Sequence, residues 1–534
     1  MEDSCRDDGI LVDGHGLYES CDVPTTCGKH KSLQTKTGKR PSLSKNDIDT
    51  GKEVKEVRAE TTNFNDNGPS FNHEVLRRKA ENDAVEFWYY MRSELKKAKA
   101  MAEGNTAVVQ MLSKLQLNGS NIHISILKPF LQHEIFVSYL YICDDYLCSL
   151  FYLNRKLLND MHSLKNVDGT GDWREKESQE LGDLVQRRLQ YLQNPKDCSK
   201  AKKILCNLGK GCGYGCQLHH VTYCMIIAYA NQRTLILESK GWRYAPGGWE
   251  TVFQPLSTRC TDKGSGSQRS WGEVPIIDSI YPRPNYLPLA IPKDLSERLI
   301  RLHGDPSAWW IGQIVKYLTR PQKHLTESLD KIKEKLNFKK SHCREYFDRL
   351  ADRQEVKTRN VYLATDDSSV INDARKNYPS YNFINDPDIS KSAGLTSRYT
   401  DTSLHGVIAD IHFLSLCDYL VCTFSSQVCR VAYEMMQTMH GDVSQNFKSL
   451  DDIYYFGGQN AHDVEAIAKH VPQGPNEIEL MPGDTIGIAG NHWDGFSKGL
   501  NRRTGKSGLY PSYKVKNKLV VVDMPTYSEV GKGS

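Results

Sequence analysis

The sequence predicts an α/β protein: a doubly wound sheet in its central region, long helices before it and a small all-β module after it. Three patterns carry this prediction. Apolar side chains step by three and four at Leu76, Ala80, Ala84, Phe87, Met91, Leu95 and Ala98, and again at Leu181, Leu184, Val185, Leu189 and Leu192, which makes one apolar stripe on each of two helices. After Pro195 short apolar runs alternate with helical segments, the pattern of an open α/β sheet. From about Ile478 the chain becomes a series of short β-runs punctuated by Gly, Pro, Asp and Asn, as in a strongly bent barrel.

Taken in order, residues 1–70 are poor in apolar side chains and rich in Lys, Thr, Asp, Asn and Gly, and are expected to be disordered. No charged segment followed by an apolar one opens the chain, so no signal peptide or anchor is readable. Residues 71–194 form a helical stalk, interrupted at about 115–153. There the run Ile135–Leu153 is membrane-like but carries Asp144 and Asp145 at its middle. Each carboxylate there costs roughly 2.5–3.5 kcal/mol of insertion, so the run is read as an insert and not an anchor. Two amphipathic helices outside the sheet are expected to pack on each other or on a second subunit as a dimerising stalk, with packing within the monomer as the alternative. In 195–460 the expected strands are Ile204–Asn207, Thr234–Glu238, Val274–Ile277, Val361–Ala364, Tyr381–Ile384 and Tyr419–Thr423. The expected helices between them include His219–Tyr229, Ala308–Leu318, Lys323–Leu336, Arg344–Arg353, Leu404–Leu416 and Gln427–Met439. Ligands of such sheets bind outside the carboxyl ends of the strands. With 69 Lys+Arg against 65 Asp+Glu, no basic stripe dominates, which excludes a dedicated nucleic-acid binder.

Fifteen cysteines are many for a reducing compartment. Six of them, Cys198, Cys206, Cys212, Cys216, Cys224 and Cys260, crowd around Gly211–Cys216, and Cys422 and Cys429 bracket Thr423–Val428. One reading is zinc on Cys212, Cys216, His219 and His220, although adjacent residues on a helix point about 100° apart and rarely share a metal. The other is four disulfides in an oxidising compartment. Lys210–Cys216 is a glycine-rich turn from strand to helix whose N–H groups can face a phosphate or sugar; a tight turn closed by a disulfide has the same pattern. Asp366 and Asp367 follow a strand, where they are either functional carboxylates or a helix N-cap. Ser426 and Gln427 sit on another strand-to-helix turn, placed to hold a diphosphate.

In residues 475–522 the order Glu479-Leu480, Gly483-Asp484, Trp493-Asp494-Gly495 and Gly508-Leu-Tyr-Pro-Ser-Tyr-Lys-Val515 resembles an SH3 domain. The aromatic run that usually opens its peptide groove is not visible.

Together Leu192–Lys200, Gly211–His220, Arg233–Trp249, Tyr362–Asp367, Val421–Arg430, Ser449–His462 and Gly490–Val515 resemble the eukaryotic α1,6-fucosyltransferases that fucosylate the innermost GlcNAc of N-glycans, over roughly residues 173–528. The resemblance implies a Golgi enzyme of the lumen, held by a membrane anchor, with a stem coiled coil that makes it a homodimer, a GT-B-like catalytic region and a lumenal SH3 domain. Its reaction is metal-independent, inverting transfer of fucose from GDP-fucose to an N-glycoprotein acceptor. Carried over, the disulfides would be Cys198–Cys260, Cys206–Cys224, Cys212–Cys216 and Cys422–Cys429. Donor contacts would come from Gly213, Tyr214, Gly215, Tyr244, Asp410, Ser426 and Gln427, with Asp410 accepting from guanine N1–H and N2–H. The glycan groove would be lined by Lys210, Asp278, Asp451, Asp452, Gln459 and His492. Asp366 and Asp367 match a functional motif of the family.

Three departures stand against this. No anchor opens the chain, about 115–153 has no counterpart, and the family's strand with H-V-R-R-T-D-K and its acidic loop is missing near 338–344. Those arginines would neutralise the leaving GDP and the acid would be the general base. A principal charge-stabilising donor is worth 10²–10³ in rate, so the chain as written, a splice form or faulty gene model, is expected to be inactive. Its neighbouring strands must then close up or leave an unpaired edge. Competing readings are a catalytically dead lumenal protein that binds glycan or dimerises, and an SH3 adaptor.

Overall fold

The structure is a computed structural model that describes residues 68–102, 168–264, 271–274, 283–338, 360–394, 397–456, 462–491 and 495–530, with single residues at 157 and 161. The apolar run Ile135–Leu153, the expected helix Arg344–Arg353, and Asp278, Gln459 and His492 lie outside the described residues, as does nearly all of 1–70.

Helix α1 (Phe71–Ala102) is followed among the described residues by α2 (Gly171–Gln193). The apolar stripe of α2 turns inward: Leu181, Val185 and Leu189 are fully buried in the main core. Burying each contributes about 1.5–3 kcal/mol, and Arg188 adds an ion pair to Asp294 at 2.6 Å. The expectation that both long helices form a separate stalk is corrected for α2, whose apolar face is already covered by its own chain. At its N-terminal end helix α1 attaches through polar groups. Glu74 accepts from Arg174 Nε (2.9 Å) and Nη2 (2.8 Å), and Arg78 donates to the carbonyls of Ile300 and Arg301. Its predicted stripe begins outside, with Leu76 62% exposed.

The first α/β half is β1 (Lys203–Asn207), α3 (Tyr214–Ala230), β2 (Thr234–Glu238) and β3 (Trp271–Glu273). Strand β1 is central and parallel to both neighbours, in the order β2-β1-β3. A parallel strand covered on both faces reads as a continuous apolar run, which Ile204, Leu205 and Cys206 supply. Helix α3 is buried over nearly its whole length. It begins at Tyr214, five residues before the expected His219, because Gly213 is extended and caps it.

A short strand, β4 (Ala290–Pro292), leads into α4 (Lys293–Leu302), α5 (Pro306–Leu318) and α6 (Lys323–Lys335). The second half then runs β5 (Asn360–Tyr362), α7 (Val370–Asn377), β6 (Asn382–Ile384), α8 (Pro387–Ser392), α9 (Asp401–Leu416), β7 (Leu420–Cys422), α10 (Gln427–Met439) and β8 (Phe447–Ser449). Its strands form two separate parallel ladders, β5 with β6 and β7 with β8. Among the described residues no strand joins β5 to β7. Beneath them Phe338, Tyr362 and Phe413 stack, with ring centroids 4.9–5.8 Å apart.

The C-terminal barrel comprises β9 (Asp463–Ala466), β10 (Thr485–Asn491), β11 (Phe496–Asn501), β12 (Lys506–Pro511) and β13 (Val515–Asn517), in the order β12-β11-β10-β9-β13. Val464, Ala466, Ile478, Leu480, Ile486 and Tyr510 fill it. Tyr513, in the turn between β12 and β13, packs edge-on against Phe87 and Tyr90 of α1, with centroids at 6.3 and 5.5 Å. The chain then returns as β14 (Val520–Val522), parallel to β4.

Candidate active site

The glycine-rich turn is held from behind. β1 ends at Asn207, whose Oδ1 accepts from Gly209 N at 2.7 Å. Gln217, fully buried, donates to the carbonyls of Lys210 (2.9 Å) and Cys212 (2.7 Å) and accepts from Trp242 Nε1. The disulfide Cys212–Cys216 closes the turn onto the first turn of α3, Cys206–Cys224 ties β1 to α3, and Cys198–Cys260 ties the segment after α2 to the loop after β2. These are three of the four expected pairs. The fourth is corrected: Cys422, at the end of β7, and Cys429, in the first turn of α10, are free thiols. Burial pushes the Cys422 thiol up, and its hydrogen bond with Cys429 adds to this.

The bonded cysteines displace the zinc reading. His220 is held neutral, its pKa pushed down to about 4 by burial and the Lys210 charge. His219 points elsewhere: its Nδ1 is 2.9 Å from Gln427 Oε1 and its Nε2 is 3.0 Å from both carboxylate oxygens of Glu434.

The turn meets α10 at Gly215. A side chain there would lie 2.8 Å from the backbone carbon of Gln427, so only glycine allows the two helix N-termini to abut. Gly213, Tyr214 and Gly215 are thereby brought together with Ser426, the residue that caps α10, and with Gln427. Tyr244 closes one side, its ring 6.1 Å from that of Tyr214 and 5.2 Å from that of Tyr399, over which Arg243 lies at 3.6 Å. Two helix N-termini present unpaired N–H groups and the positive ends of their dipoles, the usual means of holding a phosphate. Asp410 lies on α9, which packs against α10. Tyr362 donates to its Oδ1 at 2.7 Å, and burial pushes the carboxyl up to about 7 against that hydrogen bond.

On the expected acceptor side, Asp451 accepts from Ser425 N (3.3 Å) and from Ser449 Oγ (3.1 Å). Burial raises its carboxyl, but hydrogen bonds from Ser425, Asp452 N–H and Ser449 outweigh this and hold it below the usual range. Asp452 Oδ1 accepts from Ile453 N at 2.9 Å, so both acids also shape their own loop. Lys210 belongs to the glycine-rich turn. Asp366 is 3.6 Å from Arg398. Asp367 accepts from the Ser369 hydroxyl (2.7 Å) and N–H (2.8 Å), which lower its pKa; its carboxylate is engaged in the turn that precedes α7, whose N-cap is Ser369 and neither of the two acids.

Four residues that hold the expected site side chains are not legible as such in the sequence: Gln217, Tyr362, Glu434 and Tyr454, whose hydroxyl donates to Glu434 Oε1 at 2.8 Å. Tyr362 lies inside the Tyr362–Asp367 block, and His219 reads only as a metal ligand; nothing in the local sequence marks Glu434. An open cavity of about 420 Å³ lined by Arg187, Gln190, Tyr191, Asn194, Thr258, Arg259 and Val530 shares no residue with the expected donor or acceptor sets.

Residues 25–343 and 340–455 match a family model described as alpha-(1,6)-fucosyltransferase N- and catalytic domains, and 466–516 match a variant SH3 domain. An alpha-(1,6)-fucosyltransferase of Drosophila melanogaster is 44% identical over 499 residues, covering 86% of this chain and 76% of the relative. One of Caenorhabditis elegans is 41% identical over 394 residues, covering 66% and 70%. The solved structure of NodZ alpha-1,6-fucosyltransferase co-crystallized with GDP is 15% identical with a TM-score of 0.26, covering 44% of this chain and 92% of that one. The match to the catalytic-domain family runs through the glycine-rich turn, the Tyr362–Asp410 pair and the β7–α10 turn described above, and the identity to the fly relative extends over most of both chains, so this chain belongs to the alpha-(1,6)-fucosyltransferase family, whose members are glycosyltransferase enzymes.

Proposed function

We propose that this chain carries the pocket of a GDP-fucose-dependent α1,6-fucosyltransferase acting on the innermost GlcNAc of N-glycoproteins, and that, lacking its cationic strand, it turns over very slowly or not at all. The observation that carries the reading is the meeting of the α3 and α10 N-termini at Gly215 and Gln427, together with an Asp410 on α9, the helix packed against α10, that already accepts from Tyr362. In this reading the guanine N1–H and N2–H donate to the Asp410 carboxylate, a bidentate match that adenine lacks. The diphosphate lies against the N–H groups of both helices, Ser426 and Gln427. Fucose then faces the groove bordered by Lys210, Asp451 and Asp452, with Asp278, Gln459 and His492 joining on the acceptor side.

As the glycosidic bond to GDP breaks, charge accumulates on the diphosphate, and the acceptor 6-hydroxyl must give up its proton. Helix N-termini offset part of the first; the arginines and the acid of the missing segment would do the rest. The open ladders β5–β6 and β7–β8 support a missing strand between them. So does the break in the family match, which falls at 340–343. The three disulfides support an oxidising compartment, in keeping with the Golgi lumen. No helix among the described residues is long and apolar enough to cross a membrane. The exposed start of the α1 stripe at Leu76 supports a homodimer through α1.

Titration calorimetry tests the pocket. GDP is expected to bind and ADP not, with Asp410→Asn removing the distinction; equal binding of both nucleotides would overturn the assignment. Binding of a GlcNAc-terminated biantennary glycan without any GDP signal would favour the reading as a lumenal glycan-binding protein.

A further inference from the structure

We propose that His219, Glu434 and Tyr454 form a buried relay that fixes the side-chain amide of Gln427 with its N–H face turned toward the donor diphosphate. The inference rests on the donor pocket proposed above and adds three positioning residues to it. Gln427 and Glu434 are seven residues apart on α10, two turns along one face. His219 reaches across from α3 and touches both: Nδ1 at 2.9 Å from Gln427 Oε1, Nε2 at 3.0 Å from Glu434. Tyr454 donates to Glu434 Oε1 at 2.8 Å. His219 is 2% exposed and Glu434 not at all, and the Phe456 ring covers the imidazole at 4.9 Å.

The chemistry of these contacts sets a direction. The amide oxygen of Gln427 only accepts, so Nδ1 brings a proton to it, while Nε2 and the Glu434 carboxyl share a proton between them. His219 and Glu434 are thus a buried, hydrogen-bonded pair. Such a pair is retained only when its remaining sites are satisfied, which Tyr454 and Gln427 accomplish. Other charged groups in the field of Glu434 are Asp305 and Arg430. With its oxygen bound to His219, Gln427 has only its N–H groups left to present, and a diphosphate is an acceptor. A relay acting on the diphosphate therefore differs from helix-to-helix glue. Losing it should weaken ligands that carry the diphosphate and spare those that do not.

The test is titration of the full chain with GDP and with guanosine. An amide nitrogen can stand in for one imidazole nitrogen: Asn for Nδ1, Gln for Nε2. His219→Gln keeps the Glu434 contact and loses Gln427; it is expected to weaken GDP about tenfold with guanosine unchanged. His219→Asn combined with Glu434→Gln keeps the contact to Gln427, leaves no buried charge unpaired, and is expected to retain most GDP affinity. Should His219→Gln fail to fold, Tyr454→Phe removes one hydroxyl and is expected to weaken GDP about threefold relative to guanosine. Equal loss of both ligands in these variants, or no loss of either, would overturn the relay while leaving the pocket standing. Failure of the unaltered chain to bind GDP would overturn the pocket and the relay with it.

Discussion

The two α/β halves of the catalytic region follow the same strand–helix alternation and differ in how they are closed. In the first, β1 is paired on both sides, and three disulfides fasten it, its following turn and the segment before it. In the second, among the described residues, β5 and β7 each have one partner in separate ladders, and Cys422 and Cys429 are unjoined thiols. The helices are nevertheless packed equally well in both: Leu404, Ala409, Val431 and Met436 of α9 and α10 are as buried as Val221 and Cys224 of α3. Helix packing needs only complementary side chains. A central strand also supplies the backbone partners of two neighbours, so the proposed loss would be felt as open ladders and not as a hollow core.

Hydrogen exchange would sharpen this contrast most. Amides of β1 are expected to open only with the whole domain, and those of β5 and β7 by local opening, at least about 10²-fold faster. Equal protection would overturn the contrast between the two halves. A smaller effect separates the halves by their cross-links. Replacing Cys206 and Cys224 by Ala and Ser opens a loop of 18 residues and is expected to cost about 3 kcal/mol in denaturant unfolding; replacing Cys422 and Cys429 the same way is expected to cost under about 1 kcal/mol, since no bond is lost. The smallest effect is one of pH. The Asp410 carboxyl, pushed up to about 7 by burial, is protonated in the free protein below that pH and must lose its proton to accept from guanine. GDP affinity is therefore expected to be level above about pH 7 and to fall as pH drops, up to tenfold per unit. In Asp410→Asn that slope should vanish; a slope that persists would place the titrating group elsewhere.

How much was legible follows the same division. The apolar runs at 204–207 and 234–238 marked the first sheet to within a residue, because a strand buried on both faces leaves a continuous signal. The start of α3 was not legible. Its first turn is Tyr214-Gly215-Cys216, and a glycine there reads as a loop, although Gly215 is required by the approach of Gln427. The third strand lies at Trp271–Glu273, just before the apolar Val274–Ile277 expected to form it. The proposed missing segment is legible only by resemblance, since an absence leaves no pattern of its own. Periodicity found α2 but not what covers it: an amphipathic stripe meets its own chain or another with the same spacing. At the site, the short motifs were legible because their residues are neighbours in sequence. Tyr362 with Asp410, and His219 with Glu434, are not, and such pairs come from the crossing of α9 with β5 and of α3 with α10.

The central claim is that the donor pocket persists while the charge that drives departure of GDP is gone. It is tested most directly by turnover of GDP-fucose with a GlcNAc-terminated biantennary glycan. The chain as it stands is compared with the same chain carrying the family's H-V-R-R-T-D-K strand and acidic loop inserted after Phe338. The account predicts that the insertion raises the rate by about 10²–10³ or more from a level at or near background. Equal rates, with the unaltered chain fully active, would contradict it.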